Sequence, residues 1–170
     1  MEIFNDNALK KIGKKLIESK QTIAVGESVT SGLLQFAFSS IPDASKFYQG
    51  GITAYNIGQK YAHLKVEPIH ALSVNCVSQS VATEMAINAS KLFRSHWGIG
   101  VTGYATPETE SKNKVFAFYA IVFNDIIQSK GKIPSSMIAP ATLQIKYANT
   151  VLGKLEKLLC RPHNLYFVSS

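Results

Sequence analysis

Apolar positions near the start of the chain recur every three or four residues. Leu9, Ile12, Leu16 and Ile17 fall on one side of a helix over residues 7–20, with Asp6 placed as its N-cap. The pattern then changes period. Thr22, Ile23, Ala24 and Val25 form a short β-rich run within residues 21–26, as in a strand buried on both faces. That strand runs into the turn Glu27-Ser28-Val29-Thr30-Ser31-Gly32, from which an apolar helix departs through Leu33, Leu34, Phe36, Ala37 and Phe38. Free N–H groups and the dipole at such a helix start suit an anion or a developing oxyanion. Pro42-Asp43-Ala44-Ser45 reads as a turn, and residues 46–54 as a second strand. The pair Gly50-Gly51 inside it points to a bulge or to close approach by another group.

A short helix follows over residues 56–64, and Ser78 caps a longer one to residue 93, with Val81, Met85, Ala89 and Leu92 on its inner face. Residues 98–102 form a third strand ending at Thr102-Gly103, residues 104–113 a polar loop, and residues 115–123 a strand apolar on both faces. Residues 125–136 are partly extended, residues 142–159 form a last helix, and residues 165–168 an added short strand. Strands alternating with helices predict an α/β sandwich built on a mostly parallel sheet. In such sheets sites lie beyond the carboxyl ends of the strands. Glu27-Ser28, Tyr55-Asn56 and Thr102-Gly103 all fall there, and could share one pocket.

Composition narrows the picture. The 170 residues, 46% of them hydrophobic, suit one domain over 1–170 with a single substantial core. No apolar run is long enough to span a bilayer, and the start of the chain lacks a basic segment leading into an apolar one, so a cytoplasmic protein is expected, without a membrane partner. Cys76 and Cys160 share no C-x-x-C spacing and read as buried or semi-buried thiols. His63, His70, His96 and His163 lack metal-ligand spacing. No metal and no cofactor is predicted. The net charge of +7 invites a nucleic-acid reading, yet 16 of the 18 basic residues are lysines, spread along the chain, and only Arg94 and Arg161 offer the planar fork. A solvated basic surface is the better reading. A group on the first helix (Lys10, Lys11, Lys14, Lys15 and Lys20) keeps nucleic-acid binding open as a minor class, with steep salt dependence as its mark.

Five collinear segments carry a resemblance. Gly26-Glu27-Ser28-Val29-Thr30-Ser31-Gly32 stands where one family reads A-E-S-C-T-G-G. Pro42-Asp43-Ala44-Ser45-Lys46-Phe47-Tyr48-Gln49-Gly50-Gly51 matches P-G-S-S-x-x-F-x-G-G, and Ala54-Tyr55-Asn56-Ile57-Gly58-Gln59-Lys60 matches A-Y-S-N-x-x-K. Val77-Ser78, Val81-Ala82 and Met85-Ala86 follow V-S-x-x-V-A-x-x-M-A. Val101-Thr102-Gly103-Tyr104-Ala105-Thr106-Pro107 is similar to V-T-G-x-A-G-P. Over roughly residues 8–123 the chain thus resembles the CinA C-terminal family of nicotinamide-nucleotide amidohydrolases. The resemblance implies a three-layer α/β/α sandwich with a mixed sheet of about five strands. It also implies hydrolysis of the carboxamide of nicotinamide mononucleotide to nicotinate mononucleotide and ammonia. A pyridine nucleotide or related carboxamide is then the expected small-molecule partner, and a homo-oligomer the expected assembly, to which the Phe/Tyr-rich fourth strand also points.

Amide hydrolysis needs a nucleophile, a base and oxyanion donors. With the resemblance, Ser28 becomes the candidate nucleophile and Lys60 its base, a role that requires a neutral amine. Tyr55 could relay a proton or orient the lysine. Glu27, Thr30, Ser31, Gly32, Asn56, Thr102 and Gly103 are the candidate substrate-binding residues. Each has a plainer alternative: Ser28 and Thr30 as helix caps, Lys60 as a surface lysine, Tyr55 as a core-edge aromatic, Glu27 as a local cap or ion-pair partner, and Thr102-Gly103 as a strand-ending turn. The chain also departs from the family pattern. Ser31 replaces a glycine, Asn56 and Ile57 stand at the serine and asparagine positions, and the loop after Gly103 carries Glu108 and Glu110. No arginine occurs between Arg94 and Arg161, leaving Lys130, Lys132 or Lys146 to hold a phosphate. Two readings stay open: an amidohydrolase with altered substrate choice, or a divergent, inactive relative that binds a ligand or partner.

Overall fold

A computed structural model describes residues 3–161. Six α-helices and five strands alternate in the order α1 (Asp6–Glu18), β1 (Ile23–Glu27), α2 (Leu33–Ser39), β2 (Tyr48–Thr53), α3 (Ile57–Leu64), α4 (Pro68–Ser73), α5 (Gln79–Leu92), β3 (Trp97–Tyr104), β4 (Phe116–Phe123), β5 (Ile126–Pro134) and α6 (Pro140–Leu159). The strands form one sheet in the order β2-β1-β3-β4-β5. β1 pairs parallel with β2 and with β3, whereas β3, β4 and β5 pair antiparallel. The fold is therefore an α/β sandwich on a mixed sheet whose parallel half is β2-β1-β3.

Side-chain alternation builds the two faces. Ile23 and Val25 of β1, Ile99 and Val101 of β3, and Ala117, Tyr119 and Ile121 of β4 point into one cluster with α1, α2 and α6. On the other face Gly26, Gly98 and Gly100 let α5 come down almost onto the sheet. A Cβ at Gly100 would collide with the Ala82 carbonyl oxygen, and one at Gly98 with that of Ala86. Ala82 and Ala86 then pack on Ala120 and Val122, while Val81, Met85 and Ala89 pack with Ala54, Leu64 and Val66. The glycine pair of β2 has the same cause: a Cβ at Gly50 would meet the Phe93 ring at 2.7 Å, and one at Gly51 the side chains of Val25 and Gln35.

Several local expectations change. The cap of α1 is Asn5, whose side chain accepts from the Ala8 N–H; Asp6 is the first helical residue. Leu92 is half-exposed at the end of α5, not on its inner face, and Cys160 is exposed. Helix α4, absent from the sequence reading, starts with Glu67 accepting from the Ile69 and His70 N–H groups and Pro68 at its first turn. The partly extended segment is a full strand, β5. That strand places β4 inside the sheet, between β3 and β5. The strand expected at residues 165–168 lies outside the described residues. Among those described, no helix is long and apolar enough to cross a membrane, and no group of three or more His, Cys, Asp or Glu is placed to hold a metal ion.

Close approach of α5 to β3 yields a stability test. Gly100→Ala should destabilise by about 3 kcal/mol, the upper range for overpacking, because the colliding atoms are backbone. Urea unfolding should show this as a lowered midpoint. An unchanged midpoint would mean α5 sits further from the sheet.

Candidate active site

The chain passes from β1 outward to β2 and then returns across β1 to β3. The order reverses at β1, and a crevice opens beyond the carboxyl ends of β1 and β3. Three segments meet there. Glu27 lies opposite Thr53 on one side and Val101 on the other. The Ala54 N–H donates to the Glu27 carbonyl at 2.8 Å, and the Ser28 N–H to the Val101 carbonyl at 3.0 Å. The sheet's own ladder therefore delivers Ser28, Ala54-Tyr55 and Thr102 to one place.

Lys60 reaches the same place from α3. Asn56 caps this helix, its side chain accepting from the Gln59 N–H at 3.0 Å. Four residues apart, Lys60 and Leu64 share the buried face. Lys60 is 1% exposed. Its Nζ lies 2.9 Å from Ser28 Oγ, 2.8 Å from the Ala54 carbonyl oxygen and 3.0 Å from that of Tyr55. Among the described residues it forms no ion pair. A buried ammonium without a carboxylate is costly, so burial drives its pKa down from the ordinary lysine value of 10.5 to about 8. At pH 7 roughly a tenth of the molecules then carry the neutral amine.

The hydrogen bonds accommodate both protonation states: the ammonium donates to Ser28 Oγ and to both carbonyls, and the neutral amine can keep the carbonyls and turn its lone pair to Ser28. Ser28 is itself 6% exposed, in a turn closed by the Ser31 N–H donating to its carbonyl at 3.1 Å. A hydroxyl aimed at a buried amine, at the rim of a cavity, is the arrangement needed to make a serine nucleophilic.

That cavity has a volume of about 430 Å³. Ser28, Lys60, Tyr55, Thr102 and Gly103 line it. Tyr55 is 73% exposed at the lip. Thr102 is buried and donates its hydroxyl proton to the Cys76 carbonyl at 2.7 Å. Glu27, Thr30, Ser31, Gly32 and Asn56 are not on the wall. Glu27 is fully buried, and its two carboxylate oxygens accept from the N–H groups of Gly32 (3.2 Å), Leu34 (3.1 Å) and Gln35 (2.9 Å). The protein's own carboxylate thus fills the N-terminus of α2 that could have received an external anion. Ser31 has φ +49°, a left-handed value that is unfavourable for a residue with a side chain. Thr30 is buried, and among the described residues its hydroxyl has no hydrogen-bond partner. Asn56 serves as the α3 cap. None of the three lysines considered for a phosphate lines the cavity: Lys132 stacks over the Phe116 ring at 3.7 Å and Lys146 donates to Ser135.

Other wall residues had gone unread as site residues. Asn75 and Cys76 adopt left-handed backbone values that turn the chain against the cavity, and Gln144 of α6 donates to the Val29 carbonyl at 2.9 Å. Cys76, read from the sequence as a buried or semi-buried thiol, is partly buried on this wall; its burial raises its pKa, while the nearby Lys60 charge opposes the rise. Gln144 carried no sequence signal, because its place depends on α6 folding back over the sheet.

The family model for the CinA C-terminal domain matches residues 5–130. The chain belongs to the CinA C-terminal domain family. A CinA-like protein of Trichodesmium erythraeum is 36% identical over 130 residues, covering 74% of this chain and 31% of that protein. One from Prochlorococcus marinus (strain AS9601) is 30% identical over 159 residues, covering 91% of this chain and 38% of that protein. The chain thus spans well under half the length of these CinA-like relatives. A CinA superfamily protein from Escherichia coli superposes with a TM-score of 0.84 at 24% identity, covering 90% of this chain and 89% of the other. The competence/damage inducible protein CihA from Agrobacterium tumefaciens superposes with a TM-score of 0.78 at 22% identity, covering 93% of this chain and 99% of the other. These two likenesses establish a shared α/β architecture.

The buried amine of this CinA domain has a thermodynamic signature. Its pKa is lower folded than unfolded, so the unfolded chain binds more protons between about pH 8 and 10.5. The amine's contribution to stability therefore rises with pH across that window. Wild-type protein should gain stability relative to Lys60→Met from pH 8 to 10 in paired urea titrations. Parallel curves would mean that Lys60 titrates as an exposed lysine.

Proposed function

We propose that this CinA domain is a serine–lysine amidohydrolase acting on a pyridine nucleotide or a related carboxamide. The observation that carries the reading is the 2.9 Å contact between Lys60 Nζ and Ser28 Oγ, at an amine buried without a carboxylate partner. Family membership supports the choice of carboxamide chemistry.

In this mechanism neutral Lys60 takes the Ser28 hydroxyl proton as Oγ attacks the carboxamide carbon. The new C–O bond forms as the carbonyl π pair moves onto oxygen. We assign stabilisation of that oxyanion to the backbone N–H of Val29, next in the chain on the cavity wall. Lys60 then passes its proton to the amide nitrogen, the C–N bond breaks, and ammonia leaves. An ester on Ser28 remains. Lys60, neutral again, takes a proton from water as the hydroxide attacks the ester, then returns it to Ser28 Oγ. One water is consumed; one carboxylic acid and one ammonia are produced. Tyr55 holds the lysine through its backbone carbonyl, and its exposed ring is available to the substrate.

Ammonia release over a panel of pyridine carboxamides tests this directly. Ser28→Ala and Lys60→Met should each lower the rate by at least about a thousandfold, as expected for members of one nucleophile–base unit. In the active protein kcat/KM should rise with pH about a midpoint near 8, where Lys60 loses its proton. Activity surviving both substitutions would remove the dyad. No ammonia from any carboxamide, with ligand-dependent thermal stabilisation kept in Lys60→Met, would make the domain a binding module.

A further inference from the structure

We propose that the cavity selects a positively charged carboxamide lacking phosphate, a pyridinium carboxamide at the nucleoside level, with Glu108 and Glu110 recognising the cation. This rests on the amidohydrolase reading for the identity of the reacting group. The charge preference stands on separate observations.

The charged residues on the cavity wall are Lys60, Glu108 and Glu110. Once Lys60 is neutral, the wall bears two negative charges and no positive one. The chain has 16 lysines against 11 acidic residues, yet among the described residues neither Glu108 nor Glu110 forms an ion pair. Glu108 is also held in place. Thr106 donates its hydroxyl proton to Glu108 Oε1 at 2.9 Å, and the Glu108 carbonyl accepts from Ser111 Oγ and from the Asn113 N–H, each at 2.9 Å. A compact turn thus presents this carboxylate at the mouth. Receptors for a phosphate are spent elsewhere: Glu27 occupies the α2 N-terminus, and Lys132 and Lys146 are engaged away from the cavity.

Two further features agree. The ring of Tyr55, exposed at the lip, offers a π face to a cation. A cationic substrate also favours the neutral form of the nearby Lys60, whereas a phosphate dianion would favour its protonated, inactive form. Binding and base activation therefore prefer the same substrate charge.

The test compares nicotinamide riboside with nicotinamide mononucleotide, which differ by the phosphate, with N1-methylnicotinamide as a minimal cation. In the full chain, kcat/KM for ammonia release should be at least about tenfold higher for the riboside, since like charges placed together discriminate strongly. Glu108→Gln with Glu110→Gln should bring the ratio towards one, and Glu108→Lys with Glu110→Lys should invert it. A wild-type ratio of one or below, or a ratio unmoved by the double glutamine variant, overturns the charge preference and leaves the hydrolase intact. Thermal stabilisation of Ser28→Ala by the same three ligands separates the other failure. Stabilisation by the two cations but not by the mononucleotide, without ammonia from the wild type, keeps the preference and removes the hydrolase. Equal or greater stabilisation by the mononucleotide, or none by any ligand, overturns the preference.

Discussion

A lysine amine enclosed by protein, with a serine hydroxyl and two backbone carbonyls as its partners, is the constraint on which the rest of this structure depends. Burying an ammonium without a counter-charge is unfavourable, and a chain free to choose would leave it in water. Lys60 is held inside because α3 is anchored on both sides: Asn56 caps its start, and Leu64 packs against Val66 and the α5 residues Val81 and Met85. The same enclosure lowers the amine's pKa to about 8, as the proposed base requires. The stability lost by burial and the chemistry made available are two consequences of one arrangement.

The sheet supplies the opposing half. Parallel pairing of β1 with both neighbours brings Ser28 level with Ala54 and Thr102 without any side-chain contact having to do so. Glu27 then locks the turn from within by holding three N–H groups of α2. That choice has a consequence for function, since a helix start already bonded to a buried carboxylate cannot also receive a substrate phosphate. The Ser28–Lys60 end of the cavity is therefore tied down by backbone and buried hydrogen bonds. The mouth, carrying Glu108, Glu110 and the exposed Tyr55, has its own character.

Much of the fold was legible because each element kept its period. Ser78 before Val81 and Met85 marked α5, and the β-rich run through Val25 marked β1. Elements were lost where a local cue was weaker than its tertiary context: α4 has six residues and little periodicity, and its cue, Glu67 before Pro68, went unused. The site was legible where chemistry coincides with strand ends, as at Ser28, Tyr55 and Thr102. Lys60 was singled out only through the resemblance; the buried face that it shares with Leu64 is seen in the folded α3. Thr30 and Gly32 were placed by adjacency to Ser28, yet the turn points them away from the cavity. Asn75, Cys76 and Gln144 reach it only through the folded path of the chain, which no local pattern records.

Direct titration of the Lys60 amine tests the central claim. Nitrogen and carbon chemical shifts of its side chain, followed by NMR from pH 6 to 11 in wild-type protein, should give a pKa of about 8, well below the model-peptide lysine value of about 10.4. A Lys60 amine that titrates near that model-peptide value would contradict the enclosed, neutral base.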